Sequence, residues 1–586
     1  MKNKIISGNS PRKKNMFGFL FSLKSPVEKK LKNITLGTLA AILAVFPAYA
    51  QSRLVFIYPP LNLSLGVDSL ELFANEGVIN KELAYYMNLA GVNEEEKEAF
   101  REALLKKADL NPVEVSRFFN SPMGQELLHR VGHLFSIQGG RNGLYAIRGA
   151  MVQAAFDEEG LSLLNFLRHL PVNMQFNLEE ILKAATYLEL LGQETSAIVT
   201  EMKTISAQTR EQETVPNFSE IRDIRQRGDY GVGPSRRLKL FDQSREREFE
   251  VVLVQPQRWR EGKTPVIVFS HGLASRPEDF KEDVLQLASY GYVVALPQHP
   301  GSDLNQLEEM LQGFSREIVK VDEYVDRPLD VSYVIDELER RNRTEFEGRL
   351  DLNNVGAMGH SFGGYTALAL AGANLDFDTL EEICGQELWG PNLSLLLQCR
   401  ALELPRKEYN FRDERITSAF VINPVTSAVF GARGLSQITI PVLLAAGSSD
   451  PATPAAIEQL QAFVWINTDD KYFALIEGQA HVNFSKLDAQ MKAVLDSLPD
   501  LKLPDQTVID TYGNAFLVAF AEVYVAENEE FRPYLTSSYA KYISQQPNPL
   551  HLVQDDAEIP LSELFNSRKA SRTPAIHPRN IIPNND

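Results

Sequence analysis

Residues 356–364 read Gly-Ala-Met-Gly-His-Ser-Phe-Gly-Gly and contain the pattern G-x-S-x-G around Ser361. An apolar run, 355–358, precedes the pattern and an Ala/Leu-rich run, 365–373, follows it. This is the strand–turn–helix context of a nucleophile elbow, in which the serine hydroxyl stands out of the sheet. The N–H group that follows the serine, on Phe362, is then placed to bind an oxyanion. A chance Gly-rich turn is the alternative, and the two agreeing flanks disfavour it.

A serine hydroxyl is a weak nucleophile near neutral pH and needs a base, usually His, that a carboxylate orients. His481 is the first His after Ser361 and follows a strand-like run. Asp450 follows the preceding apolar run, and Asp469 and Asp470 are its nearest rivals in a polar turn before a strand. We therefore predict Ser361, Asp450 and His481 as catalytic residues. The alternatives are a turn-forming role for Asp450 and an ordinary surface position for His481.

A second oxyanion donor is expected on the loop that follows an early strand. The apolar run 266–269 leads into Ser-His-Gly-Leu, so the N–H of Leu273 is the predicted donor beside that of Phe362. His271 lies in this turn, and His299 follows the next strand-like run. Both histidines are candidates for lining the substrate pocket, and a structural role is the alternative for His271. His299 is a poor candidate for the base because it precedes the serine in the chain.

Strand-like and helical stretches alternate from residue 238 onward. Such alternation predicts an α/β fold with a mainly parallel central sheet flanked by helices. The predicted strands are 251–254, 266–269, 293–296, 355–358, 419–422, 442–446 and 472–476.

The rest of the chain divides by composition. Residues 51–200 show helical periodicity and predict an N-terminal all-α domain. The polar stretch 201–237 is a predicted linker to the catalytic domain, 238–547. Within that domain, 375–412 interrupts the alternation and is a predicted cap or lid insertion. Residues 548–586 are a predicted C-terminal tail, partly disordered because its end is rich in Asn, Ser, Arg and Pro.

The first 50 residues have the features of a signal peptide. Basic residues precede an apolar run, 34–48, and Ala-Tyr-Ala at 48–50 matches an A-x-A cleavage site. The run is shorter than the ~20 residues that span a bilayer. We expect export to a periplasm, a thylakoid lumen or the cell exterior, and a retained membrane anchor is the alternative. Translation from either Met1 or Met16 is consistent with this pattern.

Two cysteines, Cys384 and Cys399, are 15 residues apart. In an exported protein such a pair predicts a disulfide, with two free buried thiols as the alternative. No metal or other cofactor is predicted. His129 and His133 have the spacing of a zinc-protease helix, but Arg130 stands where the catalytic Glu would follow, so we expect ordinary helix residues. The formal net charge of −18 argues against nucleic acid as a partner.

Taken together, Ser-His-Gly-Leu at 270–273, the Ser361 motif, Asp450 and His481 resemble the α/β-hydrolase superfamily over roughly residues 240–490. Within it, 270–273 and 287–297 look like platelet-activating-factor acetylhydrolases and their dienelactone-hydrolase-like bacterial relatives. The stretches 58–60, 64–67 and 142–146 look like a helical domain of unassigned function that precedes such hydrolases in cyanobacterial proteins.

The resemblance implies hydrolysis of carboxylic esters without a metal, on small-molecule or lipid substrates. One position departs from the plasma-type acetylhydrolases, because Asn423 stands near the place of their acid and Asp450 must take over that role. A thioesterase or peptidase with the same triad is one alternative, and a non-catalytic binding protein is another. Peripheral contact with a membrane is a further hypothesis, and no obligate protein partner is predicted.

Overall fold

The computed structural model describes residues 53–58, 61–108, 110–137, 139–170, 174–386, 392–481 and 504–572. The predicted signal peptide, 1–50, lies outside the described residues. The run 490–498, which its residue pattern predicts to be a helix, also lies outside them, as does the end of the predicted tail.

The N-terminal region contains short strands as well as helices. The strands are β1 (Arg53–Tyr58), β2 (Leu61–Gly66), β3 (Lys107–Ala108), β4 (Phe135–Ile137), β5 (Arg141–Asn142), β6 (Leu161–Ser162) and β7 (Gln175–Asn177). They form a five-stranded sheet, ordered β2-β1-β7-β4-β5, and a two-stranded one of β3 and β6. This corrects the prediction of an all-α domain. Most of these strands are too short to show a strand period in the sequence.

Eight helices begin among the described residues of this region, and polar caps start most of them. They are α1 (Val67–Glu76), α2 (Lys81–Ala90), α3 (Glu94–Leu105), α4 (Pro112–Asn120), α5 (Pro122–Leu134), α6 (Leu144–Phe156), α7 (Leu163–His169) and α8 (Leu178–Gln212). The Asn93 side chain and Glu96 form a capping box at the start of α3, for example. Helix α8 runs through the predicted domain boundary at residue 200.

In the described part of the chain that follows α8, nine strands form one sheet. Its strands are β8 (Val232–Asp242), β9 (Arg247–Pro256), β10 (Thr264–Ser270), β11 (Val293–Pro297), β12 (Leu350–His360), β13 (Ile416–Ile422), β14 (Val442–Gly447), β15 (Lys471–Ile476) and β16 (Leu550–Gln554). Their order is β16-β15-β14-β13-β12-β10-β11-β9-β8. The six central strands, β15-β14-β13-β12-β10-β11, pair in parallel with their neighbours in this series. At the two edges, β16 pairs antiparallel with β15, and β9 pairs antiparallel with both β11 and β8.

Helices cover both faces of this sheet. They are α9 (Lys281–Ser289), α10 (Leu304–Gln312), α11 (Glu323–Asn342), α12 (Phe362–Ala371), α13 (Phe377–Cys384), α14 (Leu395–Gln398), α15 (Ser427–Leu435), α16 (Gln459–Trp465), α17 (Gln506–Tyr524), α18 (Ser537–Ile543) and α19 (Glu558–Arg572). Alternate residues of β10 enter different cores: Val266 and Val268 pack with α11 and α12, and Ile267 and Phe269 pack with α9 and α17. All seven predicted strands are present, and the mainly parallel α/β sheet is confirmed.

The sheet extends beyond the expected boundaries at both ends. Strand β8 begins inside the predicted linker, and β16 lies in the predicted tail. Both are antiparallel edge strands, and most residues of β8 are exposed, so its sequence contains no long apolar run that would indicate a strand. No helix within the described residues is long and apolar enough to cross a bilayer.

Candidate active site

The turn around Ser361 joins β12 directly to α12. Ser361 has φ 56° and ψ −116°, a region that side-chain-bearing residues seldom adopt, so the backbone is strained there. The turn is tied to the sheet because the Ser361 N–H donates to the Ile422 carbonyl at 2.9 Å. A side chain on Gly359 would lie 2.2 Å from the Gly363 carbonyl oxygen. The glycines of the motif therefore permit the close passage of strand and helix.

The structure brings the three predicted catalytic residues together. Oδ2 of Asp450 lies 2.7 Å from Nδ1 of His481, and Nε2 of His481 lies 2.9 Å from Oγ of Ser361. All three side chains are buried. With Nδ1 protonated toward the carboxylate, Nε2 is left as the acceptor for the serine hydroxyl. This arrangement is able to remove the proton from Ser361 as the hydroxyl attacks.

The carboxylate of Asp450 is held by its own loop, which follows β14. Its Oδ1 accepts the N–H groups of Ala452 at 2.8 Å and Thr453 at 3.0 Å. The Thr453 hydroxyl donates to Oδ2 at 2.7 Å and lies 3.2 Å from Nδ1 of His481. Sequence reasoning missed Thr453, although Asp-Pro-Ala-Thr has the composition of a turn that closes on its own Asp. The rival Asp470 precedes β15, at the opposite end of that strand from His481.

Asn423, which stands near the expected acid position of the acetylhydrolases, supports the Asp450 loop. Its φ is 44°, and its Oδ1 accepts the Gly447 N–H at 3.0 Å. Its carbonyl accepts the Thr453 hydroxyl at 3.2 Å. The amide side chain thus fixes the end of β14 just before the loop that carries Asp450.

The two predicted oxyanion donors lie on backbone segments that touch. A side chain on Gly363 would lie 1.9 Å from the Ser270 carbonyl oxygen and 2.8 Å from that of His271. The start of α12, with Phe362, is therefore packed against the turn that leads to Leu273. Within the described part of the chain, neither the Leu273 N–H nor the Phe362 N–H has an acceptor. The two N–H groups therefore have no protein partner there, although Phe362 as a residue is completely buried.

His271 and His299 are placed differently from the expectation that they line the pocket, because both are completely buried. The His299 ring lies 3.0 Å from Asp330 Oδ2 through Nδ1 and 3.0 Å from Ser270 Oγ through Nε2. His271 accepts the His299 backbone N–H at 3.2 Å. Burial, reinforced by Arg327, holds the pKa of each ring well below the usual range. Both histidines are neutral structural groups under α11.

The predicted disulfide between Cys384 and Cys399 is present and joins the end of α13 to the turn after α14. The N-terminal region reaches this insertion, because Arg130 Nη2 donates to the Cys384 carbonyl at 3.0 Å. His129 and His133 contact each other through their rings, with centroids 5.0 Å apart. No group of metal-ligating side chains occurs within the residues that the structure describes.

Two family models match the chain. An α/β hydrolase family of unknown function, DUF1400, matches residues 50–177. The chlorophyllase family matches residues 222–383, a stretch that includes Leu273, Ser361 and Phe362 and ends before Asp450. The narrower resemblance to platelet-activating-factor acetylhydrolases stays a prediction. With the nine-stranded sheet and the helices on its two faces, these matches show that the chain belongs to the α/β-hydrolase superfamily.

Proposed function

We propose that this protein is a serine hydrolase that cleaves carboxylic esters through an acyl-enzyme. The observation that carries the proposal is the unbroken chain from Asp450 through His481 to Ser361, at 2.7 Å and 2.9 Å. Both distances lie within hydrogen-bond range, which a nucleophile and its base require. The chlorophyllase match supports the same reaction class.

In the proposed mechanism, Oγ of Ser361 attacks the ester carbonyl while Nε2 of His481 accepts its proton. The Asp450 carboxylate stabilises the imidazolium that forms. The N–H groups of Leu273 and Phe362 bind the oxyanion of the tetrahedral intermediate. The imidazolium then protonates the departing alcohol, and the acyl group remains on Ser361. A water molecule, deprotonated by His481, attacks the acyl-enzyme and releases the acid.

We further propose lipid-like esters as the substrates. The support is the likeness of 270–273 and 287–297 to acetylhydrolases, and the chlorophyllase match over 222–383. Several apolar side chains of the N-terminal region are exposed, among them Tyr145 at 75% and Phe156 at 59%. Such side chains suit contact with a lipid surface. Acetyl-phospholipid specificity has less support, since Asn423 replaces the acid of that group.

The test is hydrolysis of p-nitrophenyl esters from C2 to C12 by the purified protein beside its Ser361→Ala variant. We expect turnover in the parent and a loss of at least ~10³-fold in the variant. A fluorophosphonate probe, followed by peptide mass spectrometry, should modify Ser361. Ser270 is an internal control, because it lies 3.0 Å from His299 but is buried beneath the turn. Modification of Ser270 instead of Ser361 would contradict the proposed nucleophile.

Two other functions would give different results. A thioesterase or peptidase would label at Ser361 but turn over thioesters or peptides faster than oxygen esters of the same acyl group. A binding protein would show neither turnover nor labelling while remaining folded.

Export is also a proposal, supported by the A-x-A site at 48–50 and by the disulfide. N-terminal sequencing of the protein recovered from cells should begin near residue 51. Recovery with residues 1–50 attached would contradict cleavage.

A further inference from the structure

Arg327 is a completely buried arginine whose guanidinium lies behind the proposed oxyanion hole. Its Nη1 donates to the His271 carbonyl at 2.6 Å, and its Nη2 donates to the Gly272 carbonyl at 3.3 Å. Its Cζ lies 4.4 Å from the centroid of the Phe362 ring. One side chain therefore contacts the turn that carries one proposed donor and the residue that carries the other.

The bond to Gly272 bears directly on the Leu273 donor. The Gly272 carbonyl and the Leu273 N–H belong to the same peptide unit, which is planar, and in a trans peptide they point in opposite directions. A hydrogen bond that directs the Gly272 carbonyl toward Arg327 therefore directs the Leu273 N–H away from Arg327. The positive charge also polarises the peptide, which makes the N–H a stronger donor.

The contact with Phe362 fixes the second donor. A guanidinium over an aromatic face is attracted by the ring, more strongly where water is excluded. The close approach of Gly363 to the carbonyls of Ser270 and His271 already joins the two segments. The Gly272 carbonyl also lies 2.8 Å from Nδ1 of His271, so the ring and Arg327 hold this peptide together. Arg327 differs from the ring in that it also contacts Phe362, and it therefore links the two segments that carry the proposed donors.

Arg327 is itself held rigidly at the start of α11. Its Nε donates to the Ser302 hydroxyl at 2.9 Å, and Glu323 lies 3.7 Å away on the preceding turn of the helix. Burial lowers the pKa of Arg327 to about 10, with Glu323 opposing that effect, so the side chain is charged at neutral pH. The next residue, Pro328, lacks the N–H that would bond the Tyr324 carbonyl, and the Tyr365 hydroxyl of α12 donates to that carbonyl at 2.8 Å.

We propose that Arg327 is a positioning residue that sets the geometry of the oxyanion hole through the Gly272–Leu273 peptide and the Phe362 ring. The proposal rests on the proposed esterase function. It predicts an effect on the transition state with little effect on the bound ester, because the oxyanion forms only after attack.

The test compares Arg327→Met with the parent on the preferred p-nitrophenyl ester. We expect kcat to fall about 10²-fold, the scale of one displaced oxyanion donor, and KM to change less than about threefold. A trifluoromethyl ketone, which forms a tetrahedral oxyanion on serine, should lose affinity by a similar factor. Arg327→Lys should recover part of the loss, since an ammonium is able to reach one carbonyl.

Two further variants separate positioning from general destabilisation. Arg327→Met combined with Glu323→Gln tests whether the effect depends on the carboxylate beside Arg327, which in the single variant keeps Arg247 at 2.9 Å and the Ser302 hydroxyl as partners. Arg245→Met is the matched control, because Arg245 bonds Asp326 and Asp330 in the same buried network but does not bond the His271–Gly272 turn. We expect the kcat of Arg245→Met to stay within threefold of that of the parent, even if its Tm falls as far as the Tm of Arg327→Met.

The outcomes are distinguishable. Equal losses of kcat in the Arg327 and Arg245 variants, or kcat within threefold of the parent in the folded Arg327 variants, would overturn the positioning role alone. A parent protein without Ser361-dependent turnover would overturn the esterase function and this inference with it.

Discussion

Gly363 is the residue at which the turn around Ser361 contacts the turn at 270–273, which carries the proposed donor Leu273. A methyl group there would lie 1.9 Å from the Ser270 carbonyl oxygen and 2.5 Å from its carbon. Gly363→Ala therefore has to separate α12 from the turn that carries Leu273. We expect a loss of about 3 kcal/mol or more in the free energy of unfolding, together with loss of esterase activity.

The matched control for that prediction is Gly149→Ala in α6, where a methyl group would meet nothing within 4 Å. This change should be neutral or stabilise by up to ~1 kcal/mol, because Ala favours a helix over Gly. Urea unfolding with activity measured in parallel compares the two variants. Equal stability of the Gly363 variant and the parent would show that the two segments tolerate separation.

Asp450 provides a second prediction at this scale. In Asp450→Asn, an amide oxygen still accepts the N–H groups of Ala452 and Thr453, but the amide nitrogen is unable to accept from Nδ1 of His481. We expect kcat to fall about 10³–10⁴-fold without loss of stability. Asp470→Asn is the control and should leave kcat unchanged. A larger loss in the Asp470 variant would reassign the acid.

The site residues divide into those that a sequence reveals and those that it does not. Ser361, Asp450 and His481 were predictable because a strained turn and a fixed chain order leave a signature. Arg327 bonds backbone carbonyls more than 50 residues away, which only the folded chain brings within reach, so no sequence spacing predicts it. Thr453 lies three residues from Asp450 in a turn-forming stretch, and that local pattern is its one sequence signal. The same limit explains why His271 and His299 were wrongly expected to line the pocket. A histidine that follows a strand has the same sequence pattern whether its side chain faces a pocket or is buried beneath a turn.

At the scale of elements, a hydrogen bond joins α11 to α12 at the point where Pro328 removes one backbone hydrogen bond from α11. Tyr365→Phe removes the hydroxyl that satisfies the Tyr324 carbonyl, and we expect a cost of about 1–2 kcal/mol. Pro328→Ala restores a backbone N–H that is able to bond the same carbonyl. In that background the cost of Tyr365→Phe should shrink by about 1 kcal/mol, which a double-mutant cycle measures.

Tyr534→Phe is the control for this cycle. Its hydroxyl donates to the Arg222 carbonyl at 2.7 Å, far along the chain from residue 328. It should cost the same in both backgrounds. Coupling of Tyr534 to Pro328 as strong as that of Tyr365 would mean that Pro328→Ala disturbs the fold broadly.

Burial decided which strands were predictable. The strands of the parallel interior, such as β10 and β11, are buried on both faces and read as continuous apolar runs. Strand β8 has one exposed face, and the N-terminal β3, β5 and β6 contain two residues each. Such segments form only when a partner strand is present, and the partner is not visible in a local window.

At the scale of the whole molecule, apolar side chains of the N-terminal region pack against the part of the chain that forms the nine-stranded sheet and its helices. Helix α8 contributes Ile198, Met202 and Ile205 to the core beside β9 and α11. Phe118 and Met123, from α4 and α5, pack in a separate apolar cluster with Leu273 and residues of α10. The second contact brings the N-terminal region to Leu273, the residue that carries a proposed oxyanion donor.

The stability of the molecule should depend on pH through a carboxylate pair between α9 and α17. Burial, the charge of Asp510 and the neighbouring Glu282 raise the pKa of Asp283 to about 7, while Arg227 opposes the shift. The folded protein therefore keeps a proton that the unfolded chain releases above about pH 4. Stability due to this group is present below pH 4 and is lost as the pH rises through about 7.

Asp283→Asn removes this dependence. Above pH 7 we expect the variant to be more stable than the parent by about 1–2 kcal/mol, a value reduced for the partial exposure of the side chain, and below pH 4 we expect the two to be equal. Asp510→Asn should give a smaller gain in the same window, because it removes the repulsive charge but leaves the burial of Asp283. Urea unfolding of the three proteins between pH 4 and 8.5 measures both gains. A gain that is constant across this range would mean that Asn improves packing or hydrogen bonding at the site, and that Asp283 does not titrate as inferred.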